Sequence, residues 1–156
     1  MFTPGSSHVG IGSGFVVARN IVATNFHVVK DWRDGRITFG GQERTFPITK
    51  LLAQDQTHDL ALVQINAPDV PPLPLAADDS PEVGSHVWVI GSPVILGSPV
   101  VLENTFSDGT VSRLEPDLVQ ITAPVSHGNS GGPVLNSKGQ VIGVTVMSAK
   151  DGKRHF

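Results

Sequence analysis

Runs of apolar and β-branched residues recur along the chain at short intervals, each closed by glycine, proline, asparagine or aspartate. Such runs, too short for amphipathic helices and punctuated by turn residues, predict strands. In the first half they fall at 14–18, 20–23, 36–39, 45–52 and 60–65; in the second, at 87–90, 100–106, 109–114, 118–121, 133–136 and 139–147. Asn136-Ser137-Lys138-Gly139 reads as a hairpin loop. The one helical candidate is a single turn at 27–30. Between the halves, residues 66–81 hold five prolines in sixteen positions. Missing N–H donors and fixed φ exclude a central strand or a helix there and predict a semi-rigid connector. The pattern predicts an all-β protein of two six-stranded antiparallel units, which fits two barrels or sandwiches better than one open sheet. The division expected is one domain over 1–156, with an N-terminal unit at about 9–65, a linker at 66–85 and a C-terminal unit at 86–156.

Composition narrows the function classes. The 156 residues suffice for a compact core. A net charge of −3, with charged residues at only 16%, gives no basic footprint for nucleic acid and no polybasic membrane anchor. No apolar run approaches the roughly 20 residues that span a bilayer, so no membrane insertion is expected of this chain. The first residues have neither the basic nor the apolar region of an export signal. Cysteine is absent, which removes disulfides, thiolate catalysis and cysteine-based zinc sites. His8, His58, His86, His127 and His155 are scattered without a metal-ligand spacing, so neither a metal nor a cofactor is expected. Gly10-Ile11-Gly12-Ser13-Gly14 brushes against a nucleotide-loop pattern, but lacks the preceding strand and the following lysine. Trp32 and Trp88 read as packing residues.

Candidate chemistry begins at Gly128-Asn129-Ser130-Gly131-Gly132-Pro133. A serine hydroxyl is a poor nucleophile at neutral pH; it needs a base for its proton and donors for the oxyanion that follows. Flanking glycines let the backbone turn sharply and present bare N–H groups. Taken alone, the stretch reads equally well as a glycine–proline turn. Two further signals change its weight. Thr24-Asn25-Phe26-His27-Val28-Val29 offers a histidine, although a lone histidine among apolar residues is usually a packing or surface residue. Thr57-His58-Asp59-Leu60-Ala61-Leu62-Val63 places an acid directly before an apolar strand, where a turn cap is the ordinary role. Read together, base and orienter stand in the first half and the serine in the second, so all three could face a shared cleft.

These stretches, with Gly12-Ser13-Gly14-Phe15, resemble the chymotrypsin-fold serine proteases. They are closest to the HtrA/Deg branch, as are Gly139-Gln140-Val141-Ile142-Gly143-Val144 and the 84–93 stretch. The likeness spans residues 12–146. It implies two six-stranded β-barrels with the active site in the cleft between them, and peptide-bond hydrolysis through an acyl-enzyme. By the same resemblance Ser130 is the nucleophile, His27 the base and Asp59 its orienter. The loop Gly128, Asn129 and Ser130 supplies the oxyanion hole through the N–H groups of Gly128 and Ser130. Val125, His127, Val144, Thr145 and Val146 line the substrate pocket.

Asn129 stands where many family members carry an aspartate that pairs with a newly cut N-terminus, which argues against activation by N-terminal cleavage. No acid precedes the site in Ala123-Pro124-Val125-Ser126-His127, and Val144-Thr145-Val146 is largely aliphatic. A small or medium apolar P1 residue follows as the expected preference. The resemblance further implies polypeptide substrates, a homotrimer with Phe2 as a candidate contact, and an extracytoplasmic bacterial location. The family's last strand, C-terminal helix and PDZ domain have no counterpart by Phe156, which points to a truncated second barrel and a missing C-terminal partner domain. The 92–108 stretch is longer and more apolar than the family's loop, which regulates activity. The rival function class is a catalytically silent or loop-gated binding module on the same fold; the intact His27, Asp59 and Ser130 set argues against silence.

Overall fold

The structure, a computed structural model, describes residues 2–3, 11–32, 34–40, 44–77, 81–92, 105–125 and 128–146. Apart from one helical turn, the regular secondary structure of the described residues is all strand. The first half carries β1 (Phe2–Thr3), β2 (Phe15–Ala18), β3 (Ile21–Thr24), the one-turn helix α1 (Phe26–Val29), β4 (Arg36–Thr38), β5 (Thr45–Pro47), β6 (Lys50–Asp55) and β7 (Leu60–Gln64). The second carries β8 (His86–Gly91), β9 (Thr105–Glu115), β10 (Leu118–Ile121), β11 (Pro133–Leu135) and β12 (Val141–Val144). The sheets run β2-β3-β7-β6, β1-β4-β5 and β10-β9-β8-β11-β12, with every strand pair antiparallel. Residues 93–104, His127, residues 147–156 and the Phe2 side chain lie outside the described set. So do most of the 92–108 loop, the start of the strand expected at 100–106 and the proposed trimer contact.

Two strand expectations change for physical reasons. The run 45–52 is not one strand but β5 and β6, because the chain changes sheets between them. Ile48 N–H donates to Gly35 O on the β4 side, whereas Thr49 N–H donates to Gln64 O at the end of β7. Pro47, with no N–H of its own, sits at that corner. Conversely, β9 runs unbroken through Gly109. A Cβ there would collide with Ala123 N and lie 2.7 Å from Ala123 Cα, so the glycine serves a close backbone approach rather than a turn. The hairpin at 136–139 forms as its sequence predicts: Gly139 takes φ +73°, and Asn136 Oδ1 accepts from the N–H groups of Lys138 and Gln140.

Each half has its own core. Val22, Val29, Val63 and Ile65 are almost wholly buried in the first, and Val87, Val89, Val111 and Val134 in the second. Burying each such side chain contributes roughly 1.5–3 kcal/mol. A third cluster, Phe15 and Ala23 with Leu135 and Val141, lies between the halves and joins β2 and β3 to β11 and β12. The proline-rich connector reinforces that join. Leu73 N–H donates to Val16 O in β2, Val141 N–H donates to Pro74 O, and Ala76 N–H returns to Val141 O in β12. The site below is built across this seam.

Candidate active site

β3 ends at Thr24, and Asn25 turns the chain into α1. Asn25 does not cap the helix with its side chain. Its Nδ2 instead donates to Asp59 O at 2.9 Å, and Phe26 N–H donates to the same carbonyl at 3.1 Å. The Asp59 carboxylate then meets the next residue: Oδ1 accepts His27 N–H at 2.8 Å, and Oδ2 lies 2.5 Å from His27 Nδ1. Asp59 holds φ +54°, the left-handed region that aspartate tolerates better than most residues. With Nδ1 donating to the carboxylate, the neutral imidazole keeps its lone pair on Nε2. The His27 side chain remains 46% exposed, open to a reactant.

The serine loop of the second half packs against this corner. Ser13 N–H donates to Ser130 O at 2.7 Å. Gly131, at φ +89°, lies so close to β3 that a Cβ would collide with Ser13 O, come within 2.5 Å of Thr24 Oγ1 and stand 3.1 Å from Asn25 N. Ser130 is thereby seated beside the start of α1, which carries His27. Among the described residues no hydrogen bond joins Ser130 Oγ to His27.

Backbone donors in the loop divide into two sets. Gly131 N–H is spent on Thr145 O and Gly132 N–H on Asn129 O. Among the described residues, none accepts from the N–H groups of Gly128, Asn129 or Ser130. Gly128 takes φ +97°, a conformation glycine reaches without strain. Asn129 is 3% exposed and tucks its side chain against Gly91, where any Cβ would strike it.

The residues expected to line the substrate pocket lie in different surroundings. Thr145 is fully buried, and its Oγ1 shares its one proton between Asn129 O and Gly132 O, so its hydroxyl braces the serine loop. Val125 is buried in the second core. Val144 packs against the seam cluster of Phe15, Ala23, Leu135 and Val141. Val146 is half-buried. His127 lies outside the described residues.

Two features near the site are not evident from the sequence. One is Ser13, whose partners lie far along the chain. The other is a turn of acids around His58, directly before Asp59. Asp55 Oδ1 accepts from the N–H groups of Thr57 and His58, and Oδ2 meets His58 Nδ1 at 2.7 Å. His58 Nε2 lies 3.8 Å from Asp117 Oδ2 in the turn between β9 and β10, across the seam. An aspartate three residues before the histidine was the available signal.

The side-chain bond to Asp55 raises the His58 pKa above its ordinary 6.5, and the bond to His58 lowers that of Asp55 below 3.8. The lowered acid contributes stability above pH 3.8 that is lost as pH falls through its folded value. The raised histidine contributes stability in full below pH 6.5, lost as pH rises through its folded value. The melting-temperature gap between wild type and His58→Asn is therefore expected to be widest near about pH 5 and to narrow towards about pH 9. A gap that is constant or widens with pH would show that the pair does not form.

Comparison with known proteins places this geometry. Residues 12–144 match the family model described as trypsin-like peptidase domain. Mitochondrial serine protease HTRA2 from Bos taurus is 36% identical over 155 residues, covering 90% of this chain and 32% of that protein. A probable periplasmic serine endoprotease DegP-like from Chlamydia trachomatis is 35% identical over 154 residues, covering 90% and 29%. The chain thus spans about a third of the length of the curated relatives it matches. The crystal structure of the serine endoprotease from Yersinia pestis superposes with a TM-score of 0.84 at 26% identity, over 99% of this chain and 56% of that one. With its strands, seam and serine loop in that arrangement, the chain belongs to the trypsin-like peptidase domain family, as an HtrA-like domain of the chymotrypsin fold.

Proposed function

We propose that the chain is a serine endopeptidase domain that hydrolyses polypeptides through an acyl-enzyme. The observation that carries this reading is the double hold of Asp59 on His27, beside a serine loop with three N–H groups that have no acceptor among the described residues. In the proposed reaction Ser130 Oγ attacks the scissile carbonyl while His27 Nε2 takes its proton. The carbonyl oxygen gains negative charge and accepts from the N–H groups of Gly128 and Ser130. His27 then gives the proton to the leaving amine, and the C–N bond breaks. Water, deprotonated by the same Nε2, opens the ester and returns the proton to Ser130. Asp59 stays ionised throughout, holding the tautomer and stabilising the imidazolium. Each oxyanion donor is worth about 3–4 kcal/mol of transition-state stabilisation. The direct Ser130–His27 hydrogen bond belongs to the substrate complex, where such contacts tighten.

The finer reading is a small or medium apolar P1 residue. Its support is the absence of an acid in residues 123–125 and the aliphatic Val144 and Val146. An extracytoplasmic location is the reading that the periplasmic relative supports.

A fluorophosphonate is expected to label wild type at Ser130 and to leave Ser130→Ala unlabelled. Unlabelled wild type, or labelling retained by the alanine variant, contradicts the assignment. In a peptide panel varied at P1, cleavage after Val, Ala or Leu is expected to exceed cleavage after Arg or Lys; the reverse order refutes the pocket reading.

A further inference from the structure

Ser13 is 4% exposed and makes four hydrogen bonds, two through its backbone and two through its hydroxyl. The backbone pair joins Ser13 N–H to Ser130 O at 2.7 Å and Thr24 Oγ1 to Ser13 O at 2.7 Å. A residue with no side chain could make both. The hydroxyl does something else: Oγ donates to Gly128 O at 2.6 Å and accepts from Ser92 N–H at 2.9 Å. Both partners are in the second half. A buried hydroxyl without partners is costly, and here its donor and acceptor capacities are both used.

The geometry points to the Ser13 hydroxyl as a positioning residue for the oxyanion donors, an assignment that rests on the serine-peptidase reading above. Gly128, at φ +97°, has an intrinsically permissive backbone, so its orientation must be set from outside. Ser13 Oγ fixes the Gly128 carbonyl, and with it the peptide plane that carries the Asn129 N–H, the plane next to the one that carries the Ser130 N–H. The neighbouring Asn129 carbonyl is fixed separately by Thr145 Oγ1 and Gly132 N–H. Because C=O and N–H of a trans peptide point in opposite directions, holding the Asn129 carbonyl aims the Ser130 N–H away from Thr145. Holding the Gly128 carbonyl and the Ser130 carbonyl on Ser13 pins both ends of the three-residue loop. Ser92 N–H on the same oxygen ties the exit of β8 into that arrangement, beside Gly91, which already receives the Asn129 side chain. The oxyanion loop of the second half is thus aimed by a hydroxyl from the first.

The test is Ser13→Ala, which removes the hydroxyl and leaves the backbone bonds in place. It is assayed on a peptide substrate at a temperature where circular dichroism shows it folded. Deleting an oxyanion donor outright costs about 10²–10³ in kcat, and misaiming one should cost about ten- to a hundredfold, with KM within about threefold of wild type. Affinity for a peptidyl boronate should weaken in step with kcat, while affinity for the product peptide stays the same. Folded Ser13→Ala with wild-type kcat and boronate affinity overturns the assignment, and so does a loss carried entirely by KM. Failure of the underlying reading looks different: wild type would be inactive, or Ser130→Ala would retain activity.

Discussion

The two halves meet at Gly131 with no room for a methyl group. A Cβ there would be driven into Ser13 O and to within 2.5 Å of Thr24 Oγ1, and φ +89° already disfavours any side chain. This close approach of backbone to backbone lets a serine from one sheet system sit beside a histidine from the other. Everything else about the site follows from keeping that approach closed. The apolar cluster of Phe15, Ala23, Leu135 and Val141 supplies non-directional adhesion across the seam. The connector adds direction, with Leu73 bonded to β2 and Pro74 and Ala76 bonded to β12.

Within that frame the polar groups divide the work by half. The first half fixes His27: Asp59, left-handed at the mouth of β7, holds α1 through its carbonyl and the histidine through its carboxylate. The second half fixes the serine loop, with Thr145 bracing it through backbone and hydroxyl. Ser13 crosses between them. The site is therefore assembled by hydrogen bonds to backbone carbonyls and to the Asp59 carboxylate, which set orientation more strictly than packing of apolar side chains does.

What the sequence made legible was local. The Asn136–Gly139 hairpin has its own turn chemistry, and α1 and β7 announce themselves through apolar runs beside Asn25 and Asp59. His27, Asp59 and Ser130 could be singled out because their flanking motifs match a family pattern. Long-range physics was not legible. The role of Ser13 depends on Gly128, 115 positions away. Gly109 reads as a strand start until Ala123 is seen against it. Thr145 reads as pocket lining from the family resemblance, which does not reveal that its hydroxyl meets the Asn129 carbonyl. His58 looks like one of several scattered histidines until the turn folds it onto Asp55 and towards Asp117.

In the proposed enzyme the seam places Ser130 within reach of His27 and of a set of oxyanion donors. A crystal structure of the chain with a peptidyl boronate bound measures this most directly. Boron is expected to be bonded to Ser130 Oγ. One boronate oxygen should accept from the N–H groups of Gly128 and Ser130 at about 2.7–3.1 Å, with His27 Nε2 against another. A boronate bound away from Ser130, or an adduct whose oxygens face neither Gly128 nor Ser130 N–H, would contradict it.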